Sequence, residues 1–174
     1  KRRAEEMKGQ CTIESKPGMG TTVVLHFPIP WFGDCLIAKK IELYIIMSLR
    51  IAIFDDNKNI RESIKLLLQT EPEFDVVGCF SHVLDCVQEV KDCNPDVILM
   101  DIEMPGMTGI EAVRTIKKEF PHILILMQTV FEDDDRVFYS ICAGASGYLL
   151  KNFLNTKLVE AIKEVQYGGS PMSP

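Results

Sequence analysis

Val97-Ile98-Leu99-Met100-Asp101 is an apolar run of strand length that ends at once in a carboxylate. A run that is apolar throughout, without alternation, implies a strand covered on both faces, as in a parallel sheet. Leu49 to Phe54, Phe74 to Cys79, Ile123 to Met127 and Gly147 to Leu150 read in the same way. Between and after these runs apolar residues recur at helical spacing: Ile60, Ile64 and Leu68; Val83, Val87 and Val90; Ile110, Val113 and Ile116; Val137, Phe138 and Ile141; and Leu158, Ile162 and Val165. Five strand-helix units predict an α/β fold, a five-stranded parallel sheet with helices on both faces. Right-handed crossovers leave few topologies, of which the flavodoxin-like order 2-1-3-4-5 is expected. Function then belongs at the carboxyl ends of the strands.

The 174 residues carry a formal net charge of −6, unevenly spread. Residues 1–50 hold +3 and residues 51–174 hold −9. So acidic a main body argues against duplex nucleic acid as the direct partner of these residues, because neutralising phosphates takes clustered Lys and Arg. The six cysteines form no C-x-x-C pair, so neither a zinc ribbon nor a redox motif is indicated, and a reducing, cytoplasmic setting is expected. The most membrane-like window, Phe32 to Phe54, is broken by Asp34, Lys39, Lys40, Glu42 and Arg50, so no membrane span is expected. Near the start, Cys11 to Ser15 and Thr21 to Phe27 flank Lys16-Pro17-Gly18-Met19-Gly20, the signature of a hairpin extension.

Folding the five units in parallel gathers Asp55, Asp56, Asp101, Thr129 and Lys151 at one end of the sheet. Carboxylates about 4 Å apart repel by ~1 kcal/mol in water and ~4 kcal/mol at an effective dielectric of 20, so the cluster invites a divalent cation. Oxygen-only ligands suit Mg²⁺, which retains waters and recruits phosphate. A carboxylate nucleophile, a metal, a lysine and a hydroxyl are the parts that phosphoryl transfer to an aspartate needs.

These residues sit in longer stretches that resemble bacterial response-regulator receiver domains: Ile53-Phe54-Asp55-Asp56-Asn57, Ile98 to Gly109, Gln128-Thr129-Val130, and Gly144 to Lys151. The resemblance covers roughly residues 47–170 and implies a CheY-like version of the fold. It implies that Asp101 is the phosphoacceptor, and that Asp55, Asp56 and Asp101 hold Mg²⁺ with the backbone carbonyl of Glu103. Thr129 and Lys151 would grip the phosphoryl group, with Tyr148 turning inward as Thr129 moves. The implied donor is a phosphohistidine on a sensor histidine kinase, and the implied output is a changed face that drives homodimerisation or releases an effector. Asn152 after Lys151, with the closing Gly168-Gly169-Ser170-Pro171, looks like the NarL/FixJ group of transcription regulators. DNA binding is then expected only through an effector domain beyond residues 171–174, which read as the start of a linker.

Residues 1–30 resemble the last helix end and C-terminal hairpin of a sensor-kinase ATPase domain, carried by Arg3 to Met7 and Ile13 to Thr22. That family's asparagine-bearing helix is absent, so nucleotide binding is not implied. Residues 31–46 match no pattern, and Met47-Ser48-Leu49-Arg50 reads as a regulator start. The expectation is that the end of a kinase reading frame has been joined to the next gene's regulator; the competing reading is a hybrid kinase carrying its own receiver.

Other classes share some of these parts. A Mg²⁺-dependent aspartate-nucleophile phosphatase would place its nucleophile after the first strand, not the third. A flavin module would need a phosphate loop where Asp55 and Asp56 stand. Several residues also have plain structural readings. Asn57 suits a helix cap, Met104-Pro105-Gly106 a turn, Tyr148 half-buried packing on an edge strand, and Met100, Met104 and Met107 packing around the loop. His26, His82 and His122 read as structural.

Overall fold

The computed structural model describes residues 10–16, 20–26, 48–130 and 134–172, which fall into two compact units divided between Met47 and Ser48. In the first, β1 (Gln10–Lys16) and β2 (Gly20–His26) pair antiparallel, with Gln10 opposite His26 and Lys16 opposite Gly20. The expected helix end at residues 3–7 and the unassigned stretch 31–46 lie outside the described residues.

The second unit alternates strand and helix: β3 (Leu49–Phe54), α1 (Lys58–Gln69), β4 (Phe74–Phe80), α2 (Cys86–Cys93), β5 (Val97–Asp101), α3 (Gly109–Glu119), β6 (Leu124–Thr129), α4 (Asp134–Ala143) and β7 (Gly147–Leu150). A 3₁₀ turn at Lys151–Phe153 then leads into α5 (Leu154–Gln166). The strands are all parallel, in the order β4-β3-β5-β6-β7. Counted within the unit this is the expected 2-1-3-4-5.

Side-chain alternation along each strand sorts the apolar runs into two layers. Ile98, Met100, Ile125 and Met127 pack with Val90, Val113, Ile116 and Ala143 on the side of α2, α3 and α4. Ile51, Ile53, Leu99 and Leu126 pack with Ile64, Leu68, Leu158 and Ile162 on the side of α1 and α5. Each such fully buried aliphatic side chain contributes about 1.5–3 kcal/mol of transfer free energy. Truncating one, as in Leu99→Ala, leaves a cavity and costs roughly 2–5 kcal/mol.

Local signals fix where the helices begin and end. Asn57 caps α1, its Oδ1 accepting from the amides of Asn59 at 3.0 Å and Ile60 at 3.4 Å. Thr108 and Glu111 form a reciprocal capping box at the start of α3. Asn94, with φ 41°, takes the left-handed conformation that closes α2 just before Pro95. Strands β5 and β6 run past their last apolar residue because backbone pairing is indifferent to side-chain polarity. Asp101 pairs with Gln128, and Thr129 with Leu150.

β7 lies at the end of the sheet, and its free edge is covered by the segment after α5. The Tyr148 amide donates to the Pro171 carbonyl at 2.8 Å, and a parallel bridge joins Tyr148 to Met172. The Ser170 hydroxyl donates to the Ser146 carbonyl at 3.0 Å. Gly147 allows this approach, since a Cβ there would lie 2.9 Å from the Pro171 ring. Residues 171 and 172, expected as the start of a linker, thus extend the sheet and satisfy an edge that would otherwise stay open. No helix among the described residues is long and apolar enough to cross a membrane. Cys79, Cys86, Cys93 and Cys142 are free thiols.

Candidate functional site

Four strand ends build the site. Asp55 follows β3, Asp101 closes β5, Thr129 closes β6 and Lys151 follows β7, and the pairings Phe54 to Met100 and Thr129 to Leu150 bring these ends level. Asp55 is 0% exposed and Asp101 4%, and Thr129 is also buried. Asp56 faces solvent. Donor oxygens of Asp55, Asp56 and Asp101 all lie within 4.8 Å of one another.

The Lys151 ammonium bridges the two buried carboxylates, 2.7 Å from Asp101 Oδ2 and 2.6 Å from Asp55 Oδ2. Asp55 is held further by the Asn57 amide, which donates to its Oδ1 at 2.8 Å, while Arg61 Nη1 donates to its carbonyl at 2.5 Å. The Glu103 amide donates to Asp101 Oδ1 at 3.4 Å. Burial raises the Asp101 pKa and the Asp55 charge raises it further, while Lys151 pulls it back down; the net shift is upward. Burial works against the Lys151 charge, but Asp101 and Asp55 outweigh it and hold the ammonium pKa above its ordinary value. Lys151 is therefore protonated at neutral pH.

Glycine shapes the floor of the site. A Cβ at Gly109 would lie 1.8 Å from the Asp101 carbonyl oxygen, so only glycine lets α3 start this close to the end of β5. The turn between them carries Gly106 at φ +86°. Met104 is buried and Met107 packs against the same core, as the packing reading expected.

The donor set fits Mg²⁺. With all groups ionised, three carboxylates against one ammonium leave two negative charges, and every ligand atom the cluster offers is a carboxylate oxygen. In front of it lies an open cleft of about 520 Å³, lined by Asp56, Glu103 and Arg136 with Ile102, Met104 and Ile110 among the apolar residues.

Asp55, Asp56, Asp101, Thr129 and Lys151 stand together at the strand ends, whereas Tyr148 lies earlier in β7, level with Met127. The Glu103 side chain instead reaches the cleft, where it accepts from Arg136 Nη1 at 2.8 Å. Tyr148, whose plain structural reading was half-buried packing on an edge strand, is 2% exposed and part of the core. It is enclosed because the 170–172 segment covers its edge. His82 and His122 lie on the surface, and the His26 side chain is outside the described residues. The partners of Arg136 and Arg61 were not foreseen. The only sequence signal for Arg136 was a single base after the acids of 132–135.

The response regulator receiver domain family matches residues 51–163. The chain is 40% identical over 126 residues to the transcriptional regulatory protein DegU of Brevibacillus brevis, covering 72% of this chain and 53% of DegU. It is 35% identical over 126 residues to the transcriptional regulatory protein LnrK of Bacillus subtilis strain 168, covering 72% of this chain and 57% of LnrK. It thus spans little more than half the length of these relatives. Among solved structures, a LuxR-family two-component response regulator from Aurantimonas sp. SI85-9A1 aligns with a TM-score of 0.70 at 31% identity, covering 73% of this chain and 91% of that one.

Proposed function

We propose, on the premise that this chain belongs to the response regulator receiver domain family and acts in two-component signalling, that Asp101 accepts the phosphoryl group. The observation that carries this reading is the gathering of the Asp55, Asp56 and Asp101 carboxylates within 4.8 Å, with Lys151 in contact with Asp101. The donor is a phosphohistidine of a sensor kinase. An Asp101 oxygen attacks phosphorus, an O–P bond forms, the N–P bond breaks, and the imidazole leaves as a neutral ring when its other nitrogen carries a proton. Asp55, Asp56, Asp101 and the Glu103 carbonyl would hold Mg²⁺, which supplies positive charge to the phosphoryl oxygens when bound.

Lys151 stays charged through the transfer and offers its ammonium to one phosphoryl oxygen, while the Thr129 hydroxyl donates to another. The bound phosphoryl group carries about 1.5–2 negative charges, and because the Asp101 carboxylate gives up its own charge in forming the bond, the site gains about 0.5–1 negative charge and three new acceptor oxygens. Thr129 and Tyr148 adjust in response, altering the surface of α4, β7 and α5. Phe138, Tyr139 and Ile141 leave apolar area exposed on α4, which supports a role for this surface in self-association on phosphorylation. The output is transcription control through a DNA-binding effector, as the names of DegU and LnrK suggest for a longer protein. We read the domain as a switch modified once per signal, located in the cytoplasm. We read residues 1–30 as a remnant of a kinase ATPase hairpin and 31–46 as a linker.

The test is intact-protein mass after incubation with Mg²⁺ and acetyl phosphate. One added phosphoryl mass is expected, lost on chelation and in Asp101→Asn. Equal labelling of Asp101→Asn would refute the assignment.

A further inference from the structure

Arg136 stands in the first turn of α4, and its Nη1 lies 2.8 Å from Glu103 Oε1 in the loop between β5 and α3. Both side chains line the cleft that Asp56 also lines. Glu103 follows the proposed phosphoacceptor by two residues, and its amide already bonds the Asp101 carboxylate. Behind this entrance the buried Asp55 and Asp101 carboxylates face one ammonium. A phosphodonor is itself an anion. It has to pass the exposed carboxylates of Asp56 and Glu103, and an unpaired Glu103 would add one more repulsive charge where fields act on approach. A pair this exposed, with side chains 32% and 54% accessible, adds little to stability. Its consequence is the placement of charge.

We propose that Arg136 is a positioning residue for phosphoryl transfer: by pairing with Glu103 it cancels a negative charge at the entrance, so that an anionic donor reaches Asp101. This rests on the phosphoacceptor reading of Asp101. Arg136 acts through Glu103 and through the potential at the cleft, without touching the reacting atoms.

The test is the initial rate of labelling by acetyl phosphate at saturating Mg²⁺, at the lowest ionic strength that Mg²⁺ permits and again near 1 M salt, where the screening length falls to about 3 Å. At low salt, Arg136→Gln is expected to label about three- to tenfold more slowly than wild type, and near 1 M within about twofold of it. Arg136→Lys keeps the charge and is expected to stay within about twofold at both salts. The double variant Glu103→Gln with Arg136→Gln removes both charges and is expected to return to within about twofold of wild type. A purely structural tie between the loop and α4 would leave the double variant as slow as Arg136→Gln, with no dependence on salt, and that result overturns the proposal. So does an Arg136→Gln rate equal to wild type at low salt. Wild type that takes no label overturns the phosphoacceptor reading and this inference with it, whereas labelled wild type with an unaffected Arg136→Gln overturns this inference alone.

Discussion

Asp101 and Asp56 carry the same group at the same end of one sheet, yet the first is 4% exposed and in contact with Lys151 while the second faces solvent. The inner pair, Asp55 and Asp101, has exchanged water for an ammonium and a few backbone donors. The outer pair, Asp56 and Glu103, keeps its hydration and borders the cleft. Burial is costly for a charge unless it is matched. The inner carboxylates should therefore govern stability and proton affinity, and the outer ones the approach of cations and donors.

The largest break in that contrast comes from Lys151→Met. It leaves two buried carboxylates facing each other, and a loss of about 3 kcal/mol is expected, read as a lower denaturant midpoint at neutral pH. Added Mg²⁺ should recover more stability in this variant than in wild type, because the ion then supplies positive charge in place of the missing ammonium.

Gln128 sharpens the contrast from another side. Its amide is 0% exposed, and neither its nitrogen nor its oxygen finds a partner among the described residues. Gln128→Leu is expected to stabilise by about 1 kcal/mol, the order of the penalty for an unmatched buried polar group, seen as a higher melting temperature.

Asp101→Asn is expected to melt above wild type at pH 7. The Asp101 pKa is raised in the folded state, so ionising it costs stability at any pH above its ordinary value of 3.8, and a neutral isostere escapes that cost. As pH falls through the folded and then the ordinary value, wild type takes up the proton and the difference should close. Melting curves from pH 7 down to acid check both parts.

The smallest effect on stability belongs to the outer pair. Asp56→Asn should change unfolding free energy by no more than about 0.5 kcal/mol. It should nevertheless weaken Mg²⁺ binding about tenfold, or 1.4 kcal/mol, by titration calorimetry.

The strands were legible because residues such as Ile98, Leu99, Ile125 and Leu126 are buried on both sides of the sheet and cannot alternate with polar residues. The convergence of Asp55, Asp101 and Lys151 was legible for a related reason: in a parallel sheet, the residue that ends each apolar run lies at one edge. Which groups then pair is a matter of side-chain reach and loop geometry, and these carry no periodic signal. Lys151 contacting both Asp55 and Asp101, Arg61 on the Asp55 carbonyl and Arg136 on Glu103 all escaped the sequence for that reason. The pairing of Pro171 and Met172 with β7 escaped because proline and glycine nearby read as an exit from the fold, while backbone hydrogen bonding made it an extra edge.

The most direct measurement is chemical mapping of the modified residue. Protein treated with Mg²⁺ and acetyl phosphate is reduced with borohydride, which converts an aspartyl phosphate to homoserine, and its peptides are sequenced by tandem mass spectrometry. Homoserine at position 101, and at neither 55 nor 56, is the expected result. Homoserine at either of those positions, or a phosphoryl group retained on serine, threonine or histidine, would contradict the assignment of Asp101.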